Sequence, residues 1–112
     1  MTICHMFGIM ILIGIKIIVE FKIEHPHSRN SLSAWEKVIK QTDYKSFNEM
    51  RRTFPSMDYV GHRYTVFDIS GNKYRLITEI DYTAQVVNVK RVWTHAEYSM
   101  KKNADALRRG KL

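Results

Sequence analysis

The pattern of apolar and polar residues divides the chain into an apolar first segment, two helical segments and a β-rich second half. Residues 6–19 are apolar except for Lys16, and we expect Ile13–Ile23 to form a buried first strand. The polar sequence HPHSRN follows, so this first element is expected to end near Glu24. The start of the chain therefore predicts a strand at the core of one sheet.

Two amphipathic segments with capping-box sequences predict two short helices. In the first, SAWE at residues 33–36 begins a helix that is expected to end near Thr42. In the second, SFNE at residues 46–49 begins a helix that Pro55 stops. The aromatic residues of these helices and of the following strand have core spacing, and we expect four of them to pack inside: Trp35, Phe47, Phe54 and Phe67.

From His62 onward the period changes to two, which is typical of strands. The segment HRYTVFDI is followed by a Gly71-Asn72 hairpin turn, and YRLITEI returns from it as the second strand. The segment VVNVKRVW completes a three-strand antiparallel meander. A short helix is expected to begin at Thr94, and residues 101–112 are expected to form a basic tail that frays.

The order of predicted elements indicates an α+β fold. We expect a small antiparallel sheet, made of the central three-strand meander and the N-terminal strand, with two helices packed on one face and a short C-terminal helix. The other face of the sheet is expected to be free. Residues 1–12 are interpreted as an N-terminal extension or a misassigned start, with Met10 as the candidate initiator, and residues 13–112 as a single domain.

Composition adds a strong positive charge to this picture. The 112 residues carry a formal net charge of +7, which favours a polyanion or an acidic protein as partner. The single cysteine, Cys4, cannot form an internal disulfide and fits the cytoplasm. The apolar start is broken too early for a spanning helix, so we expect no stable membrane association. No cofactor or metal is expected, because His25, His27, Cys4 and His5 lack zinc-site spacing.

The sequence THAE at residues 94–97 is the main candidate for chemistry. Thr94 and Glu97 match a capping box, so helix initiation alone explains them. His95 would then occupy the first helical position, where the field of the backbone dipoles attracts phosphate and disfavours imidazolium. Two interpretations therefore stay open for His95, a proton-transfer group or a residue that only begins a helix.

Basic and aromatic residues near the predicted strand ends could accompany His95. Arg75 lies in an otherwise apolar hairpin. Alternation along the next strand puts Arg91 on the apolar face of Val87 and Val89. Lys90 then lies on the opposite, more polar face, and we favour it as the second cation. Tyr82 and Tyr98 could contact a base or a phosphate. Arg51 and Arg52 either form a solvated helix face or add to a phosphate-attracting surface.

Three segments together resemble a known family. FPSMDYVG, YTVFDISGNKYRLI and THAEY, in this order between Trp35 and Tyr98, are similar to the HigB-type toxins of bacterial toxin–antitoxin systems, within the RelE-like ribonuclease fold. The N-terminus departs from the family pattern, which has a short first strand and a longer first helix than IIVEFKIEHPHSRN indicates. The resemblance rests on the combination of the segments, since each alone is weakly specific.

This resemblance implies an endoribonuclease that cleaves messenger RNA in the ribosomal A site, without a metal, by attack of a ribose 2′-oxygen on the adjacent phosphate. It also implies a cognate HigA-like antitoxin, a helix-turn-helix protein, as partner. Arg75 matches the arginine of the family's GNKYR segment and would stabilise charge, and His95 would act as base or acid. Lys90 and Tyr98 complete the expected catalytic set. The residues expected to contact RNA are Lys73, Arg91, Tyr82, Arg51 and Arg52.

A second function uses the same scaffold without catalysis. A basic module that binds protein or nucleic acid, such as a gyrase-inhibiting toxin, would have the same fold and charge. The two functions differ in whether growth arrest needs Arg75 and His95.

Overall fold

The computed structural model describes residues 10–112, which form a five-stranded sheet with helices on both faces. In chain order the elements are β1 (Ile11–Ile13), α1 (Ile15–Glu24), a 3₁₀ turn (Pro26–Ser28), α2 (Arg29–Gln41), α3 (Phe47–Thr53), β2 (Asp58–Val60), β3 (Tyr64–Ile69), β4 (Tyr74–Asp81), β5 (Val86–Thr94), α4 (His95–Ser99) and α5 (Lys101–Arg108). The predicted α+β fold is confirmed. Residues 1–9, with Cys4 and His5, lie outside the described part of the chain.

The sheet is mixed, with strand order β1-β5-β4-β3-β2. Its antiparallel part is the predicted meander, extended by the short edge strand β2. At the other edge β1 runs parallel to β5, a pairing that the prediction of an antiparallel sheet did not include. The hairpin turn between β3 and β4 spans residues 70–73, and Gly71 has a φ of +72°, a value that glycine adopts without strain.

The first face of the sheet carries α1, α2 and α3 and the larger core. The predicted core aromatics Trp35 and Phe67 are buried there, and Phe47 and Phe54 pack against them partly buried. The two faces of β4 contribute to separate cores, since Leu76 lies in this core whereas Ile77 lies in the core of the opposite face. The buried side chains of the first-face core include Ile18, Phe21, Leu32, Ile39, Met50, Val87 and Val89.

The predicted strand over Ile13–Ile23 is wrong, because most of this segment is helix α1. Gly14 has a φ of +84°, and a Cβ there would lie 2.6 Å from the carbonyl oxygen of Val89, so the chain turns out of β1 at this point. Ile18 and Phe21, three residues apart, face the core. The many β-branched residues favoured a strand, but helical spacing of the buried pair decides the outcome.

The α1 helix also leaves a stripe of apolar side chains in solvent. Ile15, Val19 and Ile23, each four residues apart, are 37%, 47% and 70% exposed. Among the described residues no helix is long and apolar enough to cross a membrane.

The predicted start of α2 is also wrong, by one helical turn. The helix begins at Arg29, directly after the 3₁₀ turn, so Ser33 and Glu36 lie inside it. Both accept hydrogen bonds from Nζ of Lys22, at 2.9 Å and 2.7 Å, and so tie α1 to α2 instead of capping a helix. The predicted end near Thr42 is confirmed.

The predicted start of α3 is confirmed by its capping bond. The hydroxyl of Ser46 accepts from the backbone N–H of Glu49 at 3.1 Å. The Glu49 carboxylate accepts from the backbone of Lys45 instead of Ser46, so one half of the capping box is formed.

The second face of the sheet is covered, and the prediction of a free face is wrong. Leu107 of α5 is buried there in a second core cluster. The predicted fraying of residues 101–112 is also wrong. The backbone N–H of Leu112 donates to the Tyr64 hydroxyl at 2.8 Å, and Arg63 Nη1 donates to the carbonyl of Gly110 at 2.8 Å. These contacts fasten the C-terminus to the start of β3. The second face is covered because a sheet with apolar residues on both faces must shield both from solvent.

Candidate active site

A β-bulge in β5 sets the direction of the basic side chains on the second face. Ile77 of β4 pairs with Arg91, but the next residue of β4 pairs with Val89, so Lys90 is the extra residue. Because the bulge reverses the alternation, Arg91 and Trp93 follow Ile77 on the second face, whereas Val89 lies in the first-face core. The prediction that Arg91 shares a face with Val89 assumed an unbroken strand and is wrong.

Arg75 is held in place from two sides on the second face. Its Nε and Nη1 atoms lie 3.0 Å and 3.2 Å from Oδ1 of Asp68, its cross-strand neighbour on β3. Its guanidinium carbon lies 4.8 Å from the centre of the Tyr98 ring. Only 14% of the Arg75 side chain is exposed. The guanidinium is therefore held in one orientation by Asp68 and Tyr98.

The Thr-His-Ala-Glu segment begins helix α4 with a complete capping box. Thr94 Oγ1 accepts from the backbone N–H of Glu97 at 3.2 Å, and Glu97 Oε1 accepts from the backbone N–H of Thr94 at 2.8 Å. His95 is the first helical residue, as predicted, and its side chain is exposed. Its backbone N–H donates to the carbonyl of Lys73 at 2.8 Å. The β3–β4 turn and the start of α4 are thereby joined.

Tyr98 connects the α4 helix to Arg75. His95 and Tyr98 are three residues apart in the helix and share one face of it. Burial raises the pKa of the Tyr98 phenol, an effect that the neighbouring charge of Arg75 opposes. The phenol is therefore neutral at physiological pH and can donate a hydrogen bond.

Lys90 belongs to a neighbouring ion-pair group on the same face. Its Nζ lies 3.8 Å from Oε1 of Glu79, and Oε2 of Glu79 accepts from Nε of Arg63 at 2.6 Å. Arg91 is exposed, and its guanidinium donates to the carbonyl of Lys90 at 2.7 Å. The carboxylate partner of Lys90 is thus different from that of Arg75.

Three residues expected to contact RNA lie on the first face instead. Tyr82 packs against the first-face core, with its hydroxyl 4.0 Å from the sulfur of Met50. Arg51 and Arg52 are exposed on α3, which covers that face. The sheet therefore separates these residues from Arg75, whereas Lys73 lies beside His95.

Asp68 is the residue of this site that sequence reasoning missed. A carboxylate inside the strand YTVFDI was a signal, because a strand with apolar residues on both faces seldom buries one unpaired. The hairpin register pairs Asp68 with Arg75, and the predicted Gly71-Asn72 turn was sufficient to derive it.

Metal-binding residues do not gather in the described part of the chain. Within residues 10–112 there is no group of three or more His, Cys, Asp or Glu side chains that could hold a metal ion. His25 instead stacks on Phe21, with ring centres 4.3 Å apart.

The second-face cluster of Asp68, Arg75, His95 and Tyr98, with Lys73 at its margin, combines two chemical capacities. Arg75 and Lys73 can bind an anionic oxygen, and the imidazole and the phenol can move protons. An anionic group such as a phosphodiester fits this combination better than a neutral or cationic ligand does.

Comparison with known proteins points in the same direction. A family model described as HigB_toxin, RelE-like toxic component of a toxin–antitoxin system, matches residues 28–101. The chain is 35% identical over 77 residues to an mRNA interferase HigB of Escherichia coli O6:H1 strain CFT073, covering 67% of this chain and 75% of that protein. It is 28% identical over 78 residues to an mRNA interferase toxin HigB of Escherichia coli K12, covering 67% and 74%. The match to an mRNA interferase HigB of Shigella flexneri has the same values.

Proposed function

This chain belongs to the HigB toxin family of RelE-like toxins, and we propose that it is an endoribonuclease that cleaves messenger RNA. The observation that carries the proposal is the contact of the Arg75 guanidinium with Tyr98, on the same helix as His95. A cation is thereby held against one group that can transfer a proton, and a second such group lies three residues away on the same short helix. RNA cleavage needs such groups together.

The proposed reaction is a transfer within the RNA strand. The ribose 2′-oxygen forms a bond to the adjacent phosphorus while the bond from phosphorus to the departing 5′-oxygen breaks. The 2′-hydroxyl proton goes to a base, and the 5′-oxygen receives a proton from an acid. The products are a 2′,3′-cyclic phosphate and a 5′-hydroxyl end, and side chains of the protein serve every proton transfer.

Four side chains are assigned to this reaction. Arg75 binds the phosphate oxygens, and its planar guanidinium suits two of them at once. His95 transfers one proton, since its exposed ring can reach bound RNA. Tyr98, neutral and in contact with Arg75, orients the nucleotide or transfers the second proton. Lys90 adds positive charge on the same face.

We propose that cleavage depends on the ribosome. A positioned acid or base contributes about 10² to 10⁴ each, whereas holding the reacting groups in line contributes roughly 7 to 11 kcal/mol. Because the His95 side chain is exposed, the ribosome would supply much of the alignment. Fast cleavage on translating ribosomes and slow cleavage of free RNA are expected, and equal rates would refute this dependence.

The proposed setting follows from the family. Members are toxic components of toxin–antitoxin systems, so an antitoxin partner is implied. We propose that this antitoxin is a HigA-like helix-turn-helix protein that neutralises the toxin, and that both act in the cytoplasm.

Two separate variants test the function. Arg75→Ala and His95→Ala are each expected to abolish growth arrest and to lower the rate of mRNA cleavage on ribosomes at least about a hundredfold. Met100→Ala, a change at an exposed side chain, serves as the control. Growth arrest that survives both variants, in protein shown to be folded by circular dichroism, would favour the non-catalytic binding function instead.

A further inference from the structure

A groove on the first face of the sheet lies outside the second-face cluster. It has a volume of about 510 Å³, within the range of small-molecule sites. It lies between the start of α3 and the edge strand β2. We call it the Tyr59 groove, and its lining includes Lys45, Phe47, Tyr59, Arg63, Thr65 and Tyr82.

The Tyr59 ring is an exposed aromatic surface in this groove. Tyr59 is 55% exposed, one of the few large apolar side chains of residues 10–112 to be so open. Phe47 supports it edge-on, with ring centres 5.9 Å apart and an interplanar angle of 68°. Because an edge contact leaves the ring face open, a planar ligand can stack on Tyr59.

The charge around the groove is positive. Lys45 and Arg63 line it, and the Arg51 guanidinium lies 5.8 Å from the Phe47 ring. The lining contains no acidic side chain. Arg63 is paired with Glu79, and Nζ of Lys90 lies 3.8 Å from the same carboxylate. The two cations and one carboxylate therefore retain a net positive charge. An anionic ligand is therefore attracted to the groove.

The groove lies around the β2 edge from the second-face cluster. Asp58 and Tyr59 are neighbours on β2, and alternation places their side chains on opposite faces of the sheet. Asp58 pairs with Val66, a second-face residue, and Tyr98 packs against the core cluster that contains Val66. A flexible RNA strand bound near Tyr98 can thus pass around the β2 edge of the sheet and reach Tyr59.

We propose that the Tyr59 groove binds an unpaired base of the RNA strand that occupies the candidate active site, with the base stacked on Tyr59 and a flanking phosphate paired with Lys45. An aromatic platform beside cations is the means by which proteins hold single-stranded nucleic acid without strict sequence preference. RNA as the ligand rests on the proposed function.

The first experiment measures RNA binding by the full-length chain. A short fluorescein-labelled single-stranded RNA is titrated with the His95→Ala variant, which leaves the groove intact, and anisotropy is recorded. Adding Tyr59→Ala is expected to weaken binding about tenfold, because a base stacked on an aromatic ring loses its partner. Tyr59→Phe keeps the ring and is expected to stay within about twofold. Circular dichroism checks that each variant is folded.

The second experiment tests the phosphate contact. Lys45→Ala is expected to lower the slope of log affinity against log salt concentration by about 0.7, the value for one phosphate of a single strand. Lys37→Ala, a change at an exposed lysine of α2 outside the groove, is the matched control and is expected to leave the slope unchanged.

The outcomes separate this proposal from the proposed function. Absence of RNA binding, or equal affinity with Tyr59→Ala, overturns the groove even if the protein cleaves mRNA on ribosomes. Equal losses with Tyr59→Ala and Tyr59→Phe overturn stacking, since the hydroxyl would then be responsible. Tyr59-dependent binding by a protein that does not cleave mRNA supports the groove and contradicts the endoribonuclease function.

Discussion

The guanidinium carbon of Arg75 lies 4.8 Å from the centre of the Tyr98 ring, and this contact joins β4 to α4. Arg75 and Tyr98 are far apart in sequence, and the antiparallel pairing of β4 with β5 returns the chain to Arg75 before α4 begins. The aromatic face attracts the cation and fixes its plane, while Asp68 binds it from the strand side.

Asp68 is expected to act as a positioning residue for Arg75. Asp68→Ala should lower kcat for ribosomal mRNA cleavage about tenfold with little change in KM, because the guanidinium loses its alignment. Asp68→Asn, which keeps the acceptor oxygen, should recover most of the rate. In the Arg75→Ala background the Asp68→Ala change should have no further effect, and additive losses in the double variant would contradict the assignment.

The capping box of α4 is expected to support both stability and cleavage. Thr94→Ala removes the acceptor for the Glu97 N–H and should lower the free energy of unfolding by about 1 kcal/mol. Because α4 has only five residues, its loosening should also slow mRNA cleavage. Thr94→Ser keeps the hydroxyl and is the control. Urea denaturation and a cleavage assay measure the two effects, and equal behaviour of the Ala and Ser variants would argue against the cap.

The bulge at Lys90 is expected to tolerate deletion. Deleting Lys90 makes Val89 and Arg91 consecutive, so simple alternation keeps Val89 in the first-face core and Trp93 on the second face. Lys90→Ala keeps the bulge and loses only a partly exposed ion pair, so it should cost less than about 1 kcal/mol, and the deletion should lower the free energy of unfolding by about as much. Chemical denaturation compares them, and a deletion much less stable than Lys90→Ala would show that the bulge is necessary for the fold.

Tyr82 is expected to make stability fall at high pH. Burial raises the pKa of its phenol to about 12, so above pH 10 the folded state keeps a proton that the unfolded state loses. Stability contributed by the neutral phenol is complete below the unfolded pKa and is lost as pH rises towards the folded pKa. Between about pH 9.5 and about pH 11.5 the wild type should lose roughly 1 kcal/mol more than Tyr82→Phe, allowing for partial exposure. Parallel curves for the two proteins would contradict this.

Local patterns were sufficient for the three strands of the meander and for the starts of α3 and α4. Alternation over residues 64–80 and the Gly71 turn predicted the β3–β4 hairpin, because both act between near neighbours in the chain. His95 was placed correctly at the start of a helix for the same reason. The α1 segment was predicted wrongly, because a run of β-branched residues suits either structure and only packing of Ile18 and Phe21 selects the helix.

The sequence by itself determined that this is a basic α+β domain whose three segments resemble HigB-type toxins, since composition, periodicity and caps are local properties of the chain. Only the tertiary structure decided that Lys90 is a bulge, that Asp68 holds Arg75, and that Arg51 and Tyr82 lie across the sheet from the second-face cluster. These facts depend on which residues meet across strands. One extra residue in a strand puts every later side chain on the face opposite to the one that simple alternation predicts. The sequence of a single strand does not show where such a residue lies.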